Sequence, residues 1–543
     1  MKPAPLSHRT QVFIFLLAIL WVAGGICSAQ SQQTSERPTF RQNRAKDGAP
    51  AESRPGRKEK PQISAKQAEE MFRKLDEVLE FVSDDSKLPI RHAIKKKLAS
   101  RDEVEERARQ QQKDEENALR LQRSEVVLKK FRFVPQNFDL SAYMVRLLRE
   151  QVAGFYSLKD KTVYMMDWIP EEQQMAIMSH ELTHALQDQT VDLKTWLEHG
   201  PHGEDAAAKA KDKSAEKTAD PDEEISQDEA VMAREAVTEG QGMVVMIDYV
   251  LRHSGKNNLT DPAFVANLRA DMMAASGSPV LNQAPLYLQE FLEFPYSYGL
   301  EFVRELQLKG GKRLAYEDVL ERPPVNSREI MEPQSYLNGE KQEPMHLPDM
   351  KKLLGKDYER YDVGSVGEFD VSVLLEQFSG EKISLKLAPE WRGGAYYAAR
   401  IFSDNKSAAD GDAKSDTPKN IEPKTSSIAL LYLSRWASPD AARRFAGEYE
   451  KSLPKRYKSA QNLKPESGRQ GMRWMTDEGM VVIEALGNQV LVLESFDPAT
   501  AERLRAAVFV GSAQPRALRL RSGQALAPHG LYNFRFAFQA QEN

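Results

Sequence analysis

His180-Glu181-Leu182-Thr183-His184 is the stretch that decides how this chain is read. On a helix, residues four apart project from the same face, so the two imidazoles can share one zinc ion. Glu181 then falls beside the metal-bound water, where a general base is needed. With nine histidines in 543 residues, a chance match to this pattern arises on the order of once per hundred chains of this size. The bland alternative, two histidines on a solvated helix face, is weakened by the surrounding residues. Met175, Met178, Leu182, Ala185 and Leu186 complete an apolar stripe without the histidines. Ile177, His180, Glu181, His184 and Asp188 fall on the neighbouring side, where they are expected to face a cleft. Pro170 and the acidic pair Glu171-Glu172 mark the start of this helix.

The flanks supply the rest of a site. A helix is signalled at Asp139 and runs on through Val145, Leu147, Leu148 and Val152. Gly154 to Leu158 and Thr162 to Met166 flank Lys159-Asp160-Lys161 and predict a β-hairpin. Downstream, Asp228 is placed to cap a helix reaching about Arg252, with Met232, Ala236, Met243, Met246, Ile247 and Val250 inward. Glu235 and Glu239 lie on or near that inward face, one turn apart. Carboxylates among Met and Val side chains cost several kcal/mol unless a cation neutralises them. A catalytic zinc usually takes three protein ligands and keeps one open position. His180 and His184 supply two, and the third comes from Glu239 or Glu235. Gly240 and Gly242 would let another helix approach closely.

Ala236-Val237-Thr238-Glu239-Gly240 resembles the Glu-Gly signature of the second helix in many gluzincins, the zinc metallopeptidase clan that includes thermolysin-like enzymes and zinc aminopeptidases. This resemblance favours Glu239 as third ligand. The alternative alignment, Glu235-Ala236-Val237-Thr238-Glu239, resembles the thermolysin-type pattern, with Glu235 as ligand and Glu239 orienting a histidine. Gln151-Val152-Ala153-Gly154-Phe155-Tyr156, the hairpin, His184-Ala185-Leu186-Gln187-Asp188-Gln189 and the Glu-Gly helix together resemble an uncharacterised exported bacterial family of HExxH proteins. The likeness covers about Leu88 to Leu374, and the C-terminal module resembles the one that family carries. Two departures stand out: 55 positions separate His184 from Glu239, longer than is usual in the clan, and Gln241 replaces the acidic or aromatic residue often found after Glu-Gly.

The resemblance implies an α+β fold, with a mainly helical zincin-like metallopeptidase domain, a β-hairpin or small sheet before the HExxH helix, and a smaller α+β domain after it. It implies zinc as cofactor and a peptide or protein as substrate. Zinc would bring its water toward a pKa of about 7, Glu181 would take the proton, and the hydroxide would attack a peptide carbonyl polarised by the same metal. Glu181 would then return the proton to the leaving amine. The outer hairpin strand is placed to pair with an extended peptide. Asp188 is read either as holding the His184 ring or as an exposed helix-end acid. Tyr296, Tyr298 and Tyr336 are candidates for a second electrophile, with packing as the alternative for each.

Composition and organisation bound this reading. Charged residues make up 29% with both signs interspersed and a net charge of −5, so nothing asks for nucleic acid. The basic start, the apolar run Val12 to Ala23 and the small residues up to Ala29 are expected to form a signal peptide over 1–29. The protein is then periplasmic or extracellular, with no stable membrane span after cleavage. Anchoring through Cys27, the only cysteine, is disfavoured by Ile26 before it. A disordered linker at 30–62 precedes a metallopeptidase domain at 63–366 with a low-complexity insertion at about 199–227, in which His199 and His202 are poor metal ligands. A C-terminal α+β domain is expected over 367–511, with a polar insertion at about 404–426 and an unstructured tail at 512–543. Its predicted strands are Ile383 to Leu387, Tyr396 to Ile401, Ile428 to Leu433, Met480 to Glu484 and Gln489 to Glu494, and its helices lie near Asp440 to Leu453 and Thr500 to Phe509. Trp391 with Gly393 and Gly394 reads as a tight turn beside a core aromatic. No Gly-x-Ser-x-Gly elbow, phosphate loop or dinucleotide fingerprint occurs. The competing function is an inactive envelope binding or scaffold protein on a peptidase-like fold.

Overall fold

The structure, a computed structural model, describes residues 65–104, 115–151, 154–169, 171–201, 221–252, 279–402, 423–463 and 471–511, with a few isolated positions between them. The signal peptide, the linker, most of both insertions and the tail lie outside the described residues.

The chain is a mixed α+β structure. Helix α1 (Ala65–Ser86) buries Met71, Leu75, Val78, Leu79 and Val82 at the three-and-four spacing of its sequence. Strand β1 (Lys95–Ala99), α2 (Glu115–Phe131) and α3 (Leu140–Gln151) follow, then the hairpin β2 (Gly154–Ser157) and β3 (Thr162–Met166). Asp139 caps α3 by accepting from the Ala142 amide at 2.8 Å. β1 joins the hairpin in parallel with β3, giving the order β1-β3-β2. Its sequence, Lys-Lys-Lys-Leu-Ala, carries no apolar alternation because it is an edge strand: Lys95 and Lys97 are exposed, while Lys96 bonds Asp76 and the Phe72 carbonyl.

Helix α4 (Glu171–Val191) carries the HExxH motif. α5 (Leu193–His199) leads to α6 (Pro221–Leu251), α7 (Leu286–Arg313) and a π-helical turn over Leu314–Asp318. Asp228 does not start α6, which begins a full seven residues earlier at Pro221; Asp228 is buried and accepts from the Ser365 amide at 3.3 Å. Phe294 to Gly299 lies inside α7.

The second sheet has seven strands in the order β4-β5-β6-β10-β9-β8-β7: β4 (Tyr358–Ser365), β5 (Trp391–Ile401), β6 (Ile428–Trp436), β7 (Ala460–Leu463), β8 (Met472–Thr476), β9 (Gly479–Leu486) and β10 (Gln489–Glu494). Every pairing within it is antiparallel. Helices α8 (Glu368–Ser379), α9 (Glu381–Leu387), α10 (Pro439–Arg456) and α11 (Pro498–Gly511) complete this part. Ile383 to Leu387 is therefore helical and not a strand: Gly380, with φ of 93°, ends α8 and starts α9 at once. Trp391, Gly393 and Gly394 form no turn but the start of β5, where a bulge lies between Trp391 and Gly393.

One face of the large sheet shares a continuous apolar core with the helices, from Met71 through Leu182 and Phe291 to Val492. The other face packs on α11 and on Leu347, Met350 and Leu354. β4 lies before position 367 in the chain and still pairs with β5 in the larger sheet. Fully buried Lys130 of α2 bonds Glu478 at 3.0 Å, Ser495 at 2.9 Å and the Thr425 carbonyl at 3.2 Å, tying the N-terminal helices to the C-terminal sheet.

Helices α6 and α7 cross backbone to backbone at two glycines. A Cβ on Gly240 would stand 2.2 Å from the Gly299 carbonyl oxygen, and one on Gly299 would stand 2.2 Å from the Ala236 carbonyl oxygen. Backbone cannot yield as a side-chain tip can, so Gly240→Ala is expected to lose roughly 1–3 kcal/mol of stability, the usual cost of overpacking. Denaturant unfolding measures it, and a midpoint equal to wild type would show the crossing is looser than this.

Candidate metal centre

Three elements meet at the HExxH segment: α4 supplies His180, Glu181 and His184, α6 supplies Glu239, and β2 runs alongside. The burial of α4 is more complete than its apolar stripe implied. His180, Glu181 and His184 are each 0% exposed and face protein, not an open cleft.

The two imidazoles lie one helical turn apart with ring centroids 4.6 Å from each other. His180 Nε2 is 3.0 Å from Glu239 Oε2, and His184 Nε2 is 3.5 Å from the same oxygen. Donor atoms of His180, His184 and Glu239 all fall within 4.8 Å of one another, the one such group among the described residues. Glu235 is buried one turn earlier on α6, beside Arg234, and is not part of this group.

The donor set suits a divalent cation. His184 Nε2 is buried with no hydrogen-bond partner, as are His180 Nδ1 and Glu181 Oε1, and buried polar atoms are rarely left so. Burial drives the His180 imidazole down to about 4, so it is the neutral ring a metal requires. Burial also works against charge on Glu239, but His184 and the imidazole hydrogen bonds outweigh it and hold this carboxyl at about 2. At His184 burial opposes the proton, yet Glu239 and Glu181 win and raise its pKa. In the metal-free protein a proton on His184 thus does part of a cation's work.

Glu181 is held for a different task. Its Oε2 accepts the Tyr156 backbone N–H at 2.7 Å, while Oε1 is left over. Burial pushes its carboxyl up to about 8, in part because Glu239 adds to the effect, and against the pull of His184. Asp188 neither holds the His184 ring nor sits exposed at a helix end. It is buried and accepts from the Tyr156 hydroxyl at 2.7 Å, the Leu193 amide at 3.0 Å and Lys161. It therefore clamps the hairpin to α4, and through Tyr156 it fixes the strand that holds Glu181.

Of the three tyrosines, Tyr296 lies beside the site, its ring centroid 6.3 Å from that of His180. Tyr336 spends its hydroxyl on the Arg322 carbonyl at 2.7 Å, and Tyr298 packs on Phe294. His199 closes α5 beside Glu198, apart from this group, and His202 lies outside the described residues. The residue that sequence reasoning passed over is Gln187, whose side-chain oxygen faces His184 Nδ1 at 2.9 Å. Its signal was present as an amide three residues after the second histidine, on the same helical face.

Gly242 serves the site directly. A Cβ there would stand 2.7 Å from His180 Cε1 and 2.8 and 2.9 Å from the two ring nitrogens. Gly242→Ala is expected to displace the ring and weaken zinc binding by about tenfold or more, equivalent to about 1.4 kcal/mol. A competition titration checks this; wild-type affinity in the variant would mean that the ring has room to move.

Comparison with known proteins finds no family model that matches the chain, no similar curated protein and no similar solved structure. Among the described residues, no helix is long and apolar enough to cross a membrane.

Proposed function

We propose that this chain is an exported zinc metallopeptidase of the gluzincin type, with a zincin-like helical core, acting on a peptide or protein substrate. The observation that carries this reading is the convergence of His180 Nε2, His184 Nε2 and Glu239 Oε2 beside a glutamate with one oxygen held and the other left over. Two imidazoles and a carboxylate are the protein donor set of many hydrolytic zinc sites. Bound zinc would supply Lewis acidity at a peptide carbonyl and acidify a water. With the ion held by His180, His184 and Glu239, Glu181 Oε1 would take one proton from a water as the water oxygen adds to the carbonyl carbon. When the C–N bond breaks, the same oxygen returns the proton to the leaving nitrogen. The Tyr156 amide keeps Glu181 in one rotamer for both transfers. Export rests on the N-terminal sequence pattern.

The test is to purify the full chain, measure zinc stoichiometry and follow cleavage of unfolded casein with and without chelator. One zinc per chain and chelator-sensitive cleavage are expected. The zero exposure of His180, Glu181 and His184 favours a second reading, an inactive binding or scaffold protein. Bound zinc without cleavage would select that one.

A further inference from the structure

Gln241, out of place after the Glu-Gly pair, and Gln187, unassigned by the motif, form a directed chain of hydrogen bonds that ends on a metal-binding histidine. The chain can be oriented from its far end. Gln241 Nε2 donates to the Ala315 carbonyl at 2.7 Å. That carbonyl lies in the π-helical turn after α7, a geometry that recurs at functional sites. A carbonyl only accepts, so the amide end of Gln241 faces Ala315 and its Oε1 faces the other way. Gln187 Nε2 donates to that Oε1 at 2.7 Å and to the Thr238 carbonyl at 3.0 Å. Both N–H groups of Gln187 are thereby spent, and its Oε1 is what remains for His184 Nδ1, 2.9 Å away. An amide oxygen cannot donate, so Nδ1 carries the proton. In the neutral ring the lone pair is then on Nε2, the atom that points at Glu239.

We propose that Gln187, oriented by the Thr238 carbonyl and, through Gln241, by the Ala315 carbonyl, is a positioning residue that keeps the proton of His184 on Nδ1 and so reserves Nε2 for the metal. Two backbone acceptors thus set the tautomer of a side chain on another helix. All three side chains are 0% exposed, so water does not compete for these bonds. His180 has no such partner: its Nδ1 is unpaired. The same outcome is usually reached with a carboxylate or a backbone carbonyl on the ring. Here a neutral amide does it, adding no charge to a site that already holds Glu181 and Glu239.

This inference rests on the metal-site reading, and its test is independent of peptide hydrolysis. In full-length protein labelled with nitrogen-15 at histidine, the His184 Nδ1 signal is expected to be that of a protonated nitrogen, metal-free and zinc-loaded alike; a bare Nδ1 would overturn the proposal. Gln187→Leu, of similar volume, is expected to weaken zinc binding about 10–100-fold, the range for partners of metal ligands. Gln187→Glu, which keeps an acceptor for Nδ1 and loses both donors, is expected to recover at least about tenfold of that loss. Should the glutamate variant bind zinc as poorly as the leucine variant, Gln187 acts only in packing and the proposal fails. If the wild-type chain takes up no zinc, the metal-site reading falls, while the spectrum of the metal-free protein, recorded at a pH where the His184 ring is neutral, still decides the tautomer.

Discussion

Glu181→Gln is expected to keep one zinc per chain and to lose about two to four orders of magnitude in the rate of peptide cleavage, the range for removing a positioned acid-base group. The amide has the volume of the carboxylate, and its oxygen can still accept the Tyr156 N–H that Glu181 Oε2 accepts at 2.7 Å. The side-chain position is therefore preserved. What changes is the atom at Oε1, where an NH2 group cannot take a proton. Wild-type rates in the variant would refute the base role, and loss of zinc would recast Glu181 as a ligand. A thermodynamic signature accompanies the kinetic one. Burial raises the Glu181 carboxyl to about 8, so between its ordinary value and about 8 the folded metal-free protein holds a proton that the unfolded chain releases. This group's contribution to stability is fully present below pH about 4.5 and declines as the pH rises to about 8. Glu181→Gln has no such decline. Zinc uptake, which favours the ionised carboxylate, should release fewer protons from the variant than from wild type near pH 7. Calorimetric titration in buffers of different ionisation enthalpy reads that difference.

What the sequence showed, and what it hid, follows from how each feature is stabilised. The hairpin and α3 were legible because turn residues, caps and periodicity act over a few positions. The convergence of His180, His184 and Glu239 was legible because metal-ligand patterns restrict residue type and spacing. Four strands were not: β1 at an edge is masked by lysines, β4 pairs with β5 across two intervening helices, and the short β7 and β8 bury few side chains. The helical state of Ile383 to Leu387 was hidden by its β-branched and apolar look, overridden when Gly380 ended one helix and began the next. Asp188 shows the limit most clearly. Its neighbourhood to His184 along the helix suggested a bond to that ring, but its three partners come from β2, from the hairpin turn and from the start of α5. The ring's partner is Gln187, one position nearer, and its orientation depends on Ala315, 128 positions further along. No local pattern encodes that dependence.

Glu239→Ala is expected to cost about 10²–10³ in zinc affinity, whereas Glu235→Ala should leave it within about threefold. A four-ligand zinc site gains roughly 10–16 kcal/mol at pH 7, so one ligand of four is worth about 2.5–4 kcal/mol, the stated range in affinity. The two glutamates share a helix and are similarly buried, at 5% and 4% exposure, so a general loss of packing would affect both variants alike. Only Glu239 presents an oxygen to both imidazoles, at 3.0 and 3.5 Å. Competition with a chromogenic chelator measures the two constants, and the reverse order would make Glu235 the ligand. The metal-free proteins provide an independent check with a definite sign. Held at about 2 by His184 and by the imidazole hydrogen bonds against the effect of burial, the Glu239 carboxyl stabilises the fold above its ordinary pKa. That contribution is lost as the pH falls from about 4.5 toward 2. Glu239→Ala removes this part of the acid dependence, so the stability gap between wild type and variant should narrow across that interval. A gap that stays constant down to pH 2 would mean that the carboxylate is not the partner of the two rings.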